Sequence, residues 1–242
     1  MVIPEGIQSG HAYRDFYRML GQVPGPKLML DNGAFEAEGP QGQLSFEKLM
    51  EYMAEYHVDE FVLPDVMGDA RKTLNATRNF LHRWEMAKGE SLGHWTPQFL
   101  VVAQGADKPN LYGCIEGFWM MEDEFETEFV YCLPKWISQE MESDIRMQLA
   151  GYIGRNYQRK VHLLGLSRAW PQEIRFAAQT YPHIVRSIDT AAPFVYAING
   201  HDLSTVSESE RPEHYFNHDS RLIDEHLLAN NLSVLGWWAN GA

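Results

Sequence analysis

Residues 98–105 read Gln98-Phe99-Leu100-Val101-Val102-Ala103-Gln104-Gly105, an apolar run that stops on an amide and a glycine. A short apolar run without polar alternation is the mark of a strand covered on both faces, as in a parallel sheet. Five other segments share this form: KLMLD at 27–31, EFVLPD at 60–65, EFVYCLP at 128–134, VHLLGL at 161–166 and HIVRSID at 183–189. Amphipathic stretches suited to helices follow near 45–56, 70–87, 108–118, 138–153 and 171–180. Asp69 or Gly68 can cap the second of these, and Pro171 can open the last at its first turn. Strand starts recur roughly every 25 to 40 residues, the spacing of βα units. The alternation predicts an α/β fold, an irregular (βα)8 TIM-type barrel, with residues 1–242 as a single domain. Six units are visible; the missing strands are expected at Val2–Ile3 and around Phe194–Ile198. Leu222–Leu228 and Val234–Trp238 predict a C-terminal helical extension, a helix followed by an apolar tail, and the polar 200–220 stretch a long loop. A doubly wound open sheet fits the same alternation, but no glycine-rich phosphate loop follows the first strand.

The 242 residues are 45% hydrophobic and 12% aromatic, enough for a large core and against global disorder. No apolar run approaches the roughly 20 residues that span a bilayer, so no membrane partner is expected. The start, MVIPEGIQSG, lacks the charged head and apolar body of a secretion signal. Two cysteines, Cys114 and Cys132, supply neither a disulfide framework nor a four-cysteine metal site, and the expected location is the cytoplasm. A net charge of −13 argues against a protein that coats nucleic acid through general basicity. The charge is uneven. Residues 116–144 carry nine acids against Lys135, whereas 151–188 carry six bases (Arg155, Arg159, Lys160, Arg168, Arg175, Arg186) against Glu173. Such a basic stretch can dock a polyanion, although solvated helix faces are its commoner meaning.

Four strand-like runs end on a polar side chain: Asp31, Asp65, Gln104 and Asp189. In a parallel barrel all strands point one way, so these groups converge on the rim that carries active sites. Any one of them alone is more often a helix cap or turn former, Asp65 after Pro64 especially. Together, three carboxylates and an amide suit a metal or acid–base and nucleophilic work. The histidines show no metal-ligand spacing. His162, inside a strand, reads as a satisfied core imidazole, and His11, His201, His214 and His218 as loop residues. No Gly-x-Ser-x-Gly elbow occurs, Cys132 reads as core packing, and no cofactor is implied.

The same segments resemble the tRNA-guanine transglycosylase superfamily, most closely its short DNA-acting members from phages and bacterial DNA-modification clusters. LMLDNGAFE (28–36) is similar to the family's Asp-Ser-Gly-Gly-Phe/Tyr-Gln segment, and FVLPDVMGD (61–69) to its base-recognition segment. VVAQG (101–105) is similar to its Val-Gln-Gly strand end, LLGLS (163–167) to its Gly-Leu segment, and SIDTAAPF (187–194) to the strand of its nucleophile. The motifs keep the family's order over about 160 residues. The resemblance implies Asp189 as nucleophile on the sugar's anomeric carbon and Asp31 as general acid/base. It implies Asp65, Gln104 and Gly105 at the base edge, Gly165 and Leu166 as backbone contacts, and Phe35 and Met67 on the two faces of the heterocycle. The implied partners are DNA or tRNA and a free 7-deazaguanine-type base such as 7-cyano-7-deazaguanine; a phage-encoded member would act in the host cytoplasm. Asn32-Gly33-Ala34 and Glu36 depart from the family pattern. The cysteine-rich zinc site of the tRNA-acting members has no counterpart here, which with the short chain favours the DNA-acting branch. The chemistry asks for such groups independently. An ionised carboxylate stabilises and traps oxocarbenium character, and a second carboxyl serves the leaving purine. The carboxylates also suit a hydrolase of nucleoside or sugar bonds, and the basic stretch a non-catalytic nucleic-acid-binding module.

Overall fold

The computed structural model describes residues 15, 18–19, 27–32, 44–91, 96–142, 144–165, 170–190, 192–205 and 224–239. Phe35, Leu166, the Val2–Ile3 segment, His11, His214 and His218 lie outside them. The chain divides into two compact units, Met1–Cys132 and Leu133–Ala242. Six strands hydrogen-bond in sequence order: β1 (Met29–Leu30), β2 (Glu60–Val62), β3 (Gln98–Val102), β4 (Val130–Pro134), β5 (Val161–Leu164) and β6 (Val185–Asp189). The pairings β1–β2, β2–β3, β3–β4 and β5–β6 are all parallel. The α/β class and parallel sheet match the sequence reading, but the described residues hold six strands rather than eight. Phe194–Ile198, expected as a strand, belongs to a helix, Ala192–Ile198. Thr190 Oγ1 accepts from Ala192 N–H and Pro193 sits in the first turn, so local chemistry starts a helix where an apolar pentapeptide alone is ambiguous.

In the first unit, α1 (Phe46–Tyr56) is capped by Ser45, whose hydroxyl accepts from Lys48 N–H, and buries Leu49, Tyr52, Met53 and Tyr56 on one stripe. α2 (Ala70–Ser91) starts where Asp69 accepts from Lys72 N–H, as its sequence predicts. It buries Phe80, Leu81 and Trp84; Phe80 packs on Phe61 of β2 and Trp84 on Phe99 of β3. Each such side chain contributes about 1.5–3 kcal/mol of burial. α3 (Lys108–Glu124) is capped by Asp107, with Pro109 in its first turn, and runs six residues beyond the predicted end. α2 and α3 follow the loops after β2 and β3.

In the second unit, α4 (Ile137–Glu140) and α5 (Ile145–Tyr157) replace the single helix expected over 138–153. α6 (Trp170–Thr180), α7 (Ala192–Ile198) and α8 (Glu225–Ala239) enclose a small core of Ile174, Ala192, Tyr196, Leu203 and Trp238. α8 is continuous, so the expected helix and apolar tail are one element. Buried Asn231 ties it down: its amide donates to Pro193 O and His201 O, and its oxygen accepts from Leu203 N–H.

Candidate active site

Each unit carries one polar cluster at the C-terminal ends of its strands. In the first unit the centre is Asp65, buried two residues past Leu63, with each carboxylate oxygen accepting from one side-chain amide. Asn32 Nδ2 donates to Asp65 Oδ1 (2.7 Å) and to Leu63 O (2.7 Å), and Gln104 Nε2 donates to Asp65 Oδ2 (2.6 Å). Gln104 Oε1 accepts from Gly68 N–H at 3.0 Å. These partners fix both amide orientations, because a carbonyl can only accept and a backbone N–H can only donate. Gly68 has φ +70°, a left-handed turn that aims its N–H inward at little cost for glycine. Thr73 and Thr77 of α2 fasten the same loop through Val66 and Pro64. Burial pushes the Asp65 carboxyl above its ordinary range, and the two neutral amides offset only part of that.

Asp31 is half-buried directly after β1, and its Oδ1 accepts from Asn32 N–H at 2.9 Å. Met67 is exposed on the turn after Asp65. Gly105 makes the close turn from β3 into α3: a Cβ there would stand 2.7 Å from Leu111 N. Asp31, Asp65 and Gln104 therefore lie just beyond the C-terminal ends of β1, β2 and β3, as expected, with Gly105 next to Gln104 and Met67 further along the loop after β2. Asn32, which the sequence offered only as a departure from the family pattern, is an integral member of this cluster.

In the second unit the centre is Asp189, the last residue of β6. Its Oδ1 accepts from Gly165 N–H (2.9 Å) and faces His162 Nε2 (3.2 Å). The other ring nitrogen, Nδ1, faces Ser187 Oγ at 2.8 Å. A register shift makes this arrangement. Val161 pairs with Val185 but His162 with Ser187, so β6 carries one extra residue at Arg186. That irregularity brings Ser187 beside His162 and keeps Ser187 and Asp189 on one face. Arg146 of α5, fully buried, clamps the following loop: Nη2 donates to Gly165 O (3.0 Å) and Nη1 to Glu173 Oε2 of α6 (3.0 Å). Burial would raise the Asp189 carboxyl. His162, the Gly165 N–H and the Arg146 charge together outweigh it and hold the group below the ordinary carboxylate range.

Among the described residues Asp189 Oδ2 accepts no hydrogen bond, and the side chain remains 27% exposed. A buried-side anchor with one uncommitted, charged oxygen is a nucleophile's geometry. Ser187, His162 and Asp189 also follow the contact order of an acyl-transfer triad. Against that use, Ser187 lies two residues down β6, roughly 7 Å deeper than the strand end, so an incoming group meets Asp189 first. Sequence reading missed His162 in this role. The available signal was His162, a polar residue inside the otherwise apolar strand β5.

A cavity of about 330 Å³ beside β6 is lined by Ile174, Ala177, Ser187, Ile188, Leu232 and Leu235 among others. Asp189 itself is not among its lining residues. The basic stretch is dispersed. Arg155 and Lys160 lie exposed before β5, at the opposite end of that strand from Gly165, while Arg175 stacks on Trp237 and Trp238. Among the described residues no three His, Cys, Asp or Glu side chains are grouped to hold a metal, and no helix is long and apolar enough to cross a membrane. No family model matches the chain, and no curated protein matches it at a significant level.

Proposed function

We propose that this protein is a base-exchange transglycosylase that replaces guanine in DNA with a 7-deazaguanine derivative through a covalent Asp189–sugar intermediate. The observation that carries the reading is the state of Asp189: ionised, with Oδ1 anchored and Oδ2 uncommitted among the described residues. The ordered family-like segments give the reaction its substrate class. Oδ2 attacks the anomeric carbon, the carbon–nitrogen bond to guanine breaks with inversion, and the base departs with a proton from a general acid, the role assigned to Asp31. In the second half the incoming base gives its ring proton to Asp31 and displaces Asp189, restoring both carboxyls. Asp65 and Gln104 hold the base edge as a preset acceptor array, already oriented by Asn32 and Gly68. Both backbone groups of Gly165 bond within the second unit, its N–H to Asp189 and its carbonyl to Arg146, while the resemblance gives the exocyclic contact to the Gly165–Leu166 backbone.

Duplex and single-stranded DNA incubated with radiolabelled 7-cyano-7-deazaguanine tests the reading. Label should enter DNA, with guanine released in equal amount, and both should vanish in Asp189→Ala. Label entering tRNA instead would move the acceptor to RNA. Guanine release without label uptake would replace exchange by hydrolysis, and uptake that survives Asp189→Ala would remove the assigned nucleophile.

A further inference from the structure

We propose that His162 is a positioning residue which, with the Gly165 N–H, commits Oδ1 of Asp189 and so makes Oδ2 the attacking atom; this rests on the exchange reading above. A carboxylate on one side chain rotates about its terminal bond, and either oxygen can present itself to a sugar. Here the two donors meet the same oxygen, at 2.9 Å from Gly165 and 3.2 Å from His162. Two donors from different directions on one oxygen stop the rotation and leave the other oxygen turned away from both.

The anchor is itself held. His162 is buried at 2% exposure, and Ser187 fixes its ring from the far nitrogen. Because a carboxylate can only accept, Nε2 carries the proton, and the Ser187 hydroxyl adapts to either state of Nδ1. Gly165 takes φ +66° beside the Lys135 alkyl chain, and its carbonyl is pulled inward by Arg146. The titratable and charged side chains facing Asp189 are thus His162 from β5 and Arg146 from α5. Glu173 of α6 neutralises part of the Arg146 charge, and Lys135 packs by its stem. A histidine serving only its own burial would need two partners and nothing more. The convergence of its proton with a backbone donor on one oxygen of the nucleophile goes beyond that.

The test compares His162→Phe, which keeps the ring volume without a donor, with His162→Gln, which keeps a donor near Nε2. In the labelled-base assay His162→Phe should lower kcat about 10- to 100-fold, with KM for the free base within about threefold, as expected for a misplaced reacting atom. His162→Gln should recover at least part of the loss. The acidic limb of the rate profile should move upward by about one pH unit in His162→Phe, because the lost donor favoured the ionised carboxylate. An unmoved limb with unchanged kcat overturns the proposal. Titration of the ¹³C-labelled Asp189 carboxyl, assigned by its loss in Asp189→Asn, reads the anchor without turnover. A midpoint raised by His162→Phe supports the anchor, and an unchanged midpoint overturns it. If the wild type exchanges no base while the midpoint still moves, the exchange reading alone falls.

Discussion

Removing Glu173 should cost far more than its position at the start of a helix suggests. Arg146 is fully inaccessible, and burial pushes its guanidinium below its ordinary range against the pull of Glu173 and Asp189. Its Nη1 rests on Glu173 Oε2 at 3.0 Å and its Nη2 on the Gly165 carbonyl at 3.0 Å. Glu173→Leu leaves a buried cation without its carboxylate, a change that costs about 3–5 kcal/mol. Replacing both residues by apolar ones, Arg146→Met with Glu173→Leu, removes the stranded charge. The double variant should therefore be more stable than the sum of the singles by at least about 2 kcal/mol. Urea unfolding followed in parallel by far-ultraviolet dichroism and tryptophan fluorescence measures this and shows whether the two units unfold together.

The pH dependence supplies an independent check. Arg146 helps hold Asp189 below its unfolded value, and a depressed carboxylate contributes stability above that value which is lost as pH falls through the folded one. The deficit of Arg146→Met should thus shrink as pH falls from neutral into the acid range where Asp189 takes up its proton. A Glu173→Leu cost below about 1 kcal/mol, or a strictly additive double variant, would refute the claim that this pair is a buried, coupled unit.

Two further outcomes are expected. Asp65→Asn keeps the shape but turns an N–H2 toward one of the two amides that now donate to it, so thermal unfolding should show a loss of about 1–3 kcal/mol; an unchanged midpoint would contradict the donor assignment. Gly105→Ala should cost about 1–3 kcal/mol because the added Cβ meets the backbone of Leu111 and Asn110, whereas Gly113→Ala on the open face of α3 should be neutral or stabilising; equal effects would refute the steric reading.

Much of the scaffold was legible because β2, β3 and β4 are buried on both faces and several strand-like runs end on polar residues. The runs at 60–65, 98–105 and 183–189 announce β2, β3 and β6 with their terminal Asp65, Gln104 and Asp189. Helix starts were legible where a side chain closes the first turn, as at Asp69. What failed were decisions made by packing. Phe194–Ile198 has strand-like composition, yet Pro193 and the burial of Tyr196 against Trp238 make it helical. The single helix expected over 138–153 breaks around Met141–Asp144, where α4 ends and Asp144 O opens α5. The site was legible as a set of strand-end acids but not as two hydrogen-bonded clusters. Nothing in local sequence reports that Asn32 joins Asp65, that Arg146 reaches Gly165, or that a register shift places Ser187 beside His162.

Asp65 and Asp189 show how one residue type acquires two chemistries. Both sit largely out of water at strand ends, and for both burial opposes the charge. Around Asp65 the compensating groups are neutral amides, which satisfy the oxygens without supplying charge, and the carboxyl stays above its ordinary range. Around Asp189 they are an imidazole N–H, a backbone N–H and a guanidinium charge, and the balance reverses. Environments that push two carboxyls apart in this way assign them different work. A group whose oxygens each accept one amide N–H and keep a second lone pair is suited to reading donors on a flat base; a group held charged, with one oxygen that accepts nothing among the described residues, is suited to bond formation. Exchanging the donors should exchange the two carboxyls' titration behaviour, which is why the His162 variants bear on the proposed nucleophile and Asp65→Asn on the proposed acceptor array.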